Sequence, residues 1–122
     1  MKDIKFRYIC IRPNGHVVIK IFTLYEIANG ALTVWLQANI IRLSDLKVSQ
    51  FTGLADKYGI DIYADDILEN KKSGKGNFFV KMNVGSYNAV YKGNFTLSLY
   101  PVLQERDGAI IIGNIYQNPE LL

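Results

Sequence analysis

The 122-residue chain contains one cysteine, one histidine, one tryptophan and three prolines. A lone Cys10 excludes an intramolecular disulfide and suits a reducing compartment. A single His16 excludes the usual zinc sets, which draw on several Cys or His ligands. Any Ser/His/Asp machinery would have to be built around that one imidazole, and nothing in the pattern suggests it. Long hydrophobic runs are also missing. The longest, residues 31–41, is interrupted by Thr33, Gln37 and Asn39 and falls well short of the ~18–20 residues of a membrane span. Residues 1–11 scatter Lys2, Asp3, Lys5 and Arg7 among their apolar residues and form no signal-peptide core. These absences predict a cytoplasmic protein with no membrane partner, no metal and no cofactor.

What is present is ordinary in amount and uneven in placement. Hydrophobic residues make up 49% and charged residues 20%, values of a globular domain and far from those of a disordered one. The length predicts a single domain over residues 1–122, large enough to bury one core without staples. The net charge of +3 divides unevenly. Residues 1–42 hold six Lys/Arg and two Asp/Glu (+4), residues 43–70 two and six (−4), and residues 71–122 six and three (+3). Such segregation serves either complementary surfaces within or between chains, or simply a charged exterior.

Along the chain, Ile4, Phe6 and Tyr8 alternate with Lys5 and Arg7, the period-2 pattern of a half-buried strand. Arg12-Pro13-Asn14-Gly15-His16 reads as a hairpin turn, with residues 17–22 returning as the second strand. Thr23-Leu24-Tyr25-Glu26 fits a capping box, with Gly30 able to stop a short helix, although an irregular link fits equally well. The β-branched and aromatic content of residues 31–41 predicts a buried strand, and residues 47–51 a further short one. Turns are expected at Thr52-Gly53 and at Asp56-Lys57-Tyr58-Gly59, and a Lys/Ser/Gly loop over 70–77. Strands follow at 78–84, 89–91 and 95–100. A turn at Glu105-Arg106-Asp107-Gly108 then leads to a fully apolar, central strand over 109–115. Asn118-Pro119 predicts a final helical turn. Many short strands with Gly-rich turns argue an all-β barrel or roll.

The segment Gln50-Phe51-Thr52-Gly53-Leu54-Ala55-Asp56-Lys57-Tyr58-Gly59-Ile60-Asp61-Ile62-Tyr63-Ala64-Asp65-Asp66-Ile67-Leu68 resembles the signature of the YopX family of bacteriophage and prophage proteins. The residues that carry the resemblance are Phe51, Thr52, Gly53, Leu54, Asp56, Gly59, Ile62, Tyr63, Asp66 and Ile67. The opening MKDIKFR and the ending GNIYQNPELL, with Gly113, Asn114, Tyr116, Asn118 and Pro119, are similar to that family's ends. The resemblance implies a mainly β single domain containing an SH3-type barrel or roll, with an N-terminal hairpin and one or two helical turns. It also implies a phage or prophage gene in a bacterial host, and no particular activity. One position departs from the pattern. Asp65 stands where the family usually has glycine, which matters if that backbone takes positive φ.

Chemically, the motif is made of turn formers and core formers, with no nucleophile paired to a base. Asp56, Asp61, Asp65, Asp66 and Glu69 suggest a cation site, but the calcium-loop template fails. Counting from Asp56, its third and fifth positions are Tyr58 and Ile60, and its glycine position is Asp61. Ser73-Gly74-Lys75-Gly76-Asn77 lacks phosphate-loop spacing. His16 is expected on an exposed turn and Cys10 packed on its strand. The most suggestive cluster is Lys71, Lys72, Lys75, Phe78, Lys81, Tyr91 and Lys92, where lysines near aromatics would track a phosphate backbone and stack bases. Of Phe78 and Phe79, strand alternation buries one and leaves the other nearer the surface. The expected function is therefore a non-catalytic phage accessory protein. It would contact itself as a homo-oligomer, or a host or phage protein, with nucleic-acid binding through the Lys71–Lys92 region as the alternative.

Overall fold

The computed structural model describes residues 4–72, 74–105 and 108–122. Met1 to Asp3 of the opening motif, Ser73 of the glycine-rich loop, and Arg106 and Asp107 of the expected turn lie outside them. The chain packs as two compact units, Met1–Phe51 and Thr52–Leu122. It is mainly β, with nine strands and three short α-helices among the described residues.

In the first unit, β1 (Lys5–Ile11) and β2 (Val17–Thr23) form the expected antiparallel hairpin, with Phe6 opposite Phe22 and Ile9 opposite Ile19. Its turn closes as the residues dictate. Gly15 takes φ +87°, its N–H donates to Arg12 O at 2.8 Å, and the His16 N–H donates to Asn14 Oδ1 at 2.9 Å. β1 also pairs antiparallel with β3 (Leu46–Ala55), placing Tyr8 opposite Val48. β2 therefore forms one edge of the sheet. The capping box is real. Thr23 Oγ1 accepts from Glu26 N at 3.1 Å and Glu26 Oε1 accepts from Thr23 N at 2.9 Å, opening helix α1 (Leu24–Ala28).

The strand expected over 31–41 is instead helix α2 (Ala31–Ala38). Gly30, in the left-handed region at φ +86°, lets the chain stop one helix and begin the next. Ala31, Leu32, Trp35 and Leu36 are partly buried, while Thr33, Val34, Gln37 and Ala38 are exposed. That is a helical stripe, and it overrides the β-branched content on which the strand reading rested. Trp35 packs edge-on against Phe22 with ring centroids 5.7 Å apart.

The second unit begins within β3. Beside its last residues lies β4 (Asp61–Tyr63), and a five-stranded sheet follows in the order β8-β7-β6-β5-β9. β5 is Asp66–Glu69, β6 Asn77–Asn83, β7 Ser86–Tyr91, β8 Thr96–Ser98 and β9 Ile110–Asn114. The order is open, with β8 and β9 at its ends, so these strands form no closed barrel. The strand expected over 95–100 breaks after Ser98 into helix α3 (Leu99–Leu103). Pro101 is tolerated in its first turn, and Leu99 and Val102, three apart, both reach the core. That core gathers Ile62, Leu68, Phe78, Val80, Ala89, Tyr91, Leu99, Val102 and Ala109.

The stretch 109–115 is expected to be a central strand because of its apolar run, and β9 lies at an end of the sheet instead. Its outer edge is nevertheless covered. Ile111 N donates to Asp56 Oδ2 at 3.2 Å, and Ala109 O accepts from Lys57 N at 2.9 Å. A loop substitutes for a strand, which is one way an apolar edge is protected.

The β6–β7 hairpin turns on Val84-Gly85, with φ +48° and +78°. Two consecutive positive φ values suit Asn-Gly and penalise a β-branched residue, at a cost of ~1–2 kcal/mol in the left-handed region. Val84 is 98% exposed and contributes nothing to packing. Val84→Asn should therefore stabilise the protein by about 1 kcal/mol, measured as a higher urea midpoint at unchanged slope. A lower midpoint would contradict this reading.

Candidate functional site

The family-like segment forms a network of side-chain bonds to backbone. Thr52-Gly53, expected as a turn, lies within β3, and Gly53 bends that strand at φ +81°. Thr52 Oγ1 donates to Ile62 O at 2.7 Å and accepts from Leu54 N at 3.1 Å, tying β3 to β4. Asp56, 8% exposed, accepts at Oδ1 from Tyr58 N and Ile60 N, each at 2.9 Å, and at Oδ2 from Ile111 N. Gly59, at φ +80°, completes that loop. Phe51, Ile62, Tyr63 and Ile67 are buried, and Leu54 packs against the core.

The turn between β4 and β5 answers the question raised by Asp65. Its φ is +75°, the conformation for which glycine is the usual choice. Its N–H donates to Val80 O at 2.7 Å, its carbonyl accepts from Ile115 N at 2.9 Å, and its Oδ2 accepts from Tyr116 Oη at 2.8 Å. The side chain that makes the backbone awkward thus gains a bond glycine could not make. Beside it, Asp66 is 1% exposed and accepts from Tyr63 N at 2.8 Å.

The C-terminal motif works in the same way. Asn114 Oδ1 accepts from Tyr116 N and Gln117 N at 3.0 and 2.9 Å, and Asn118 Oδ1 accepts from Asn114 N at 3.2 Å. A Cβ on Gly113 would overlap the Asn118 side chain, so only glycine fits there. Pro119 starts the expected final turn, a 3₁₀ helix over Pro119–Leu121. Asp56, Asp65, Asp66, Asn114 and Asn118 each accept from a backbone or tyrosine donor, so the motif is a scaffold. Among the described residues, no group of three or more His, Cys, Asp or Glu is placed to hold a metal ion.

The lysine and aromatic cluster separates in space. Phe78 is 1% and Tyr91 5% exposed, their ring centroids 5.2 Å apart in the core, so neither offers a face for base stacking. Phe79, on the other face, is partly exposed. Lys71, Lys72, Lys75, Lys81 and Lys92 are all on the surface. Lys75 Nζ lies 2.9 Å from Glu105 Oε1 and Lys71 Nζ 3.9 Å from Glu69 Oε1. Lys71 and Lys72 instead share a cavity with Lys57 and Tyr58, two residues the cluster did not include. Their only sequence signal was membership of the Asp56 turn. His16 is exposed on the hairpin turn and Cys10 is buried, both as expected.

These features define a small mainly β protein whose most distinctive residues hold loops onto strands. The YopX protein family profile matches residues 18–122; the chain belongs to the YopX family. In structure it is similar to the crystal structure of protein EF1440 from Enterococcus faecalis. The two share 20% identity with a TM-score of 0.55, over 98% of this chain and 97% of that one, a likeness of fold. None of the curated proteins compared with the chain matches it.

The Asp65–Tyr116 bond is testable as a cycle. Tyr116→Phe should cost about 1 kcal/mol in the native background and nearly nothing beside Asp65→Gly. Equal costs in both backgrounds would show that the hydroxyl acts elsewhere.

Three tyrosines predict the alkaline limit. Burial raises Tyr8 and Tyr87, and burial followed by repulsion from Glu105 raises Tyr91. The fold thus favours their neutral form. The stability they contribute is fully present below the unfolded value near ~10 and is lost as pH rises through the folded values. Melting temperature should fall above pH ~10 as tyrosinate absorbance rises, and less steeply in Tyr91→Phe.

Proposed function

We propose that the protein acts by contact, as a non-catalytic interaction module of phage or prophage origin working in the cytoplasm of a bacterial host. It binds copies of itself or a host or phage protein. The observation that carries this reading is the edge strand β2. Ile19 and Ile21 lie on one face of it and are 47% and 44% exposed, and its outer backbone edge is the end of the sheet. An exposed apolar edge is a template for strand addition from another chain. The capped helix that follows exposes Leu24 and Tyr25 as well, widening the apolar surface. The absence of catalysis is supported by placement, with Cys10 buried and His16 on an outer turn. No helix among the described residues is long and apolar enough to cross a membrane. We read the five-stranded sheet of the second unit as the SH3-type roll.

Nucleic-acid binding through Lys71, Lys72, Lys81 and Lys92 keeps its charges and loses its stacking rings, which makes it the second reading.

Light scattering coupled to gel filtration at about 100 μM, where contacts of μM affinity are saturated, should show an oligomer. Ile21→Lys, a charge on the edge strand, should shift it toward monomer while far-UV circular dichroism stays unchanged. A strict monomer in the native protein would remove self-assembly.

A further inference from the structure

Two loops of the second unit present lysines to one cavity. Lys57, Lys71 and Lys72 line a hollow of about 250 Å³ with Tyr58 and Glu69. Both loops are fixed by buried polar side chains. Asp56 holds the first through Tyr58 N and Ile60 N, and Lys57 N donates to Ala109 O at 2.9 Å. Asn70, 5% exposed, holds the second by accepting from Lys72 N at 3.0 Å. The loop backbones are fixed in advance, which leaves a ligand the exposed lysine side chains to order.

Charge and size narrow the ligand. Among the described residues that line the cavity, three lysines and one glutamate sum to a formal +2. The Glu69–Lys71 pair, 3.9 Å apart with the lysine 82% exposed, is a loose surface contact that neutralises little. A phosphate monoester carries about −1.5 to −2 at pH 7, whereas a phosphodiester carries about −1, so the monoester is the better complement. Tyr58 is 70% exposed, with Lys57 Nζ 5.8 Å from its ring centroid, and offers a face on which a base stacks. The volume lies below the ~300–1,000 Å³ of common ligand pockets, which suits one nucleotide unit and no longer segment.

We propose that this cavity binds the phosphate monoester of a single nucleotide, with the phosphate among Lys57, Lys71 and Lys72 and the base against Tyr58. That group occurs on free nucleoside 5′-monophosphates and at the 5′ end of a nucleic-acid strand. The site uses none of the residues assigned to protein contact, so either reading can fail alone.

Calorimetric titration of the full chain at low salt tests it, with adenosine 5′-monophosphate, adenosine, inorganic phosphate, and a short DNA strand with and without its 5′ phosphate. The monophosphate should bind at least about tenfold tighter than adenosine. Lys57→Ala and Lys72→Ala should each weaken it about tenfold. Tyr58→Ala should weaken the nucleotide and leave inorganic phosphate unchanged. Affinity should fall as pH drops through about 6 and the phosphate takes up a proton. A 5′-phosphorylated strand binding tighter than the free nucleotide assigns the strand end as ligand; equal or weaker binding assigns the nucleotide. The proposal is overturned if the monophosphate gives no saturable binding. It is equally overturned if adenosine binds as well, or if Lys57→Ala binds undiminished with an unchanged melting temperature.

Discussion

The Asp56 carboxylate is the constraint on which most of the second unit depends. One oxygen closes its own loop on Tyr58 and Ile60, and the other reaches Ile111 on β9. A buried acceptor serving three backbone donors matters less for what it gains than for what its removal leaves. Each N–H stripped of its partner costs ~1–3 kcal/mol if it stays buried. The same carboxylate therefore shapes a loop, protects the edge of an apolar strand and sets the positions of Lys57 and Tyr58. Chain segments fifty-five residues apart are joined by one side chain.

The rest of the family-like motif follows the same rule. Asp65 accepts strain in its backbone and recovers a bond from Tyr116, while Asn118 fills the space that Gly113 leaves open. These residues recognise their own chain. The surfaces proposed for ligand and partner use other residues, on the edge strand β2 and on the loops that Asp56 and Asn70 hold in place.

Much of the fold could be read from sequence where a residue's effect is local. Asn14-Gly15 specified the first turn, Thr23 with Glu26 the capping box, and Pro119 the last helical turn. Errors arose where a long-range contact or a competing period decided the outcome. Residues 31–38 carry β-branched side chains, but their apolar positions recur at helical spacing. β9 looks central by composition, because the sequence does not reveal that a carboxylate fifty-five positions earlier covers its edge. Phe78 and Tyr91 looked like candidates for a surface because strand alternation predicts that some aromatics face outward without saying which; both turned inward, while Tyr58 is exposed. The lysine cavity was illegible for the same reason, since Lys57 and Lys71 come together through β9, which bonds the Asp56 loop and pairs with β5.

Native-state hydrogen exchange on Asp56→Ala tests the central role of that carboxylate most directly. Losing the acceptor should speed exchange at Tyr58, Ile60 and Ile111 by at least about tenfold beyond any change at Val80 and Val90 in the middle of the sheet. Overall stability should fall by about 3 kcal/mol. Unchanged protection at Ile111, or a uniform loss across all strands, would contradict the account in which Asp56 organises this part of the fold.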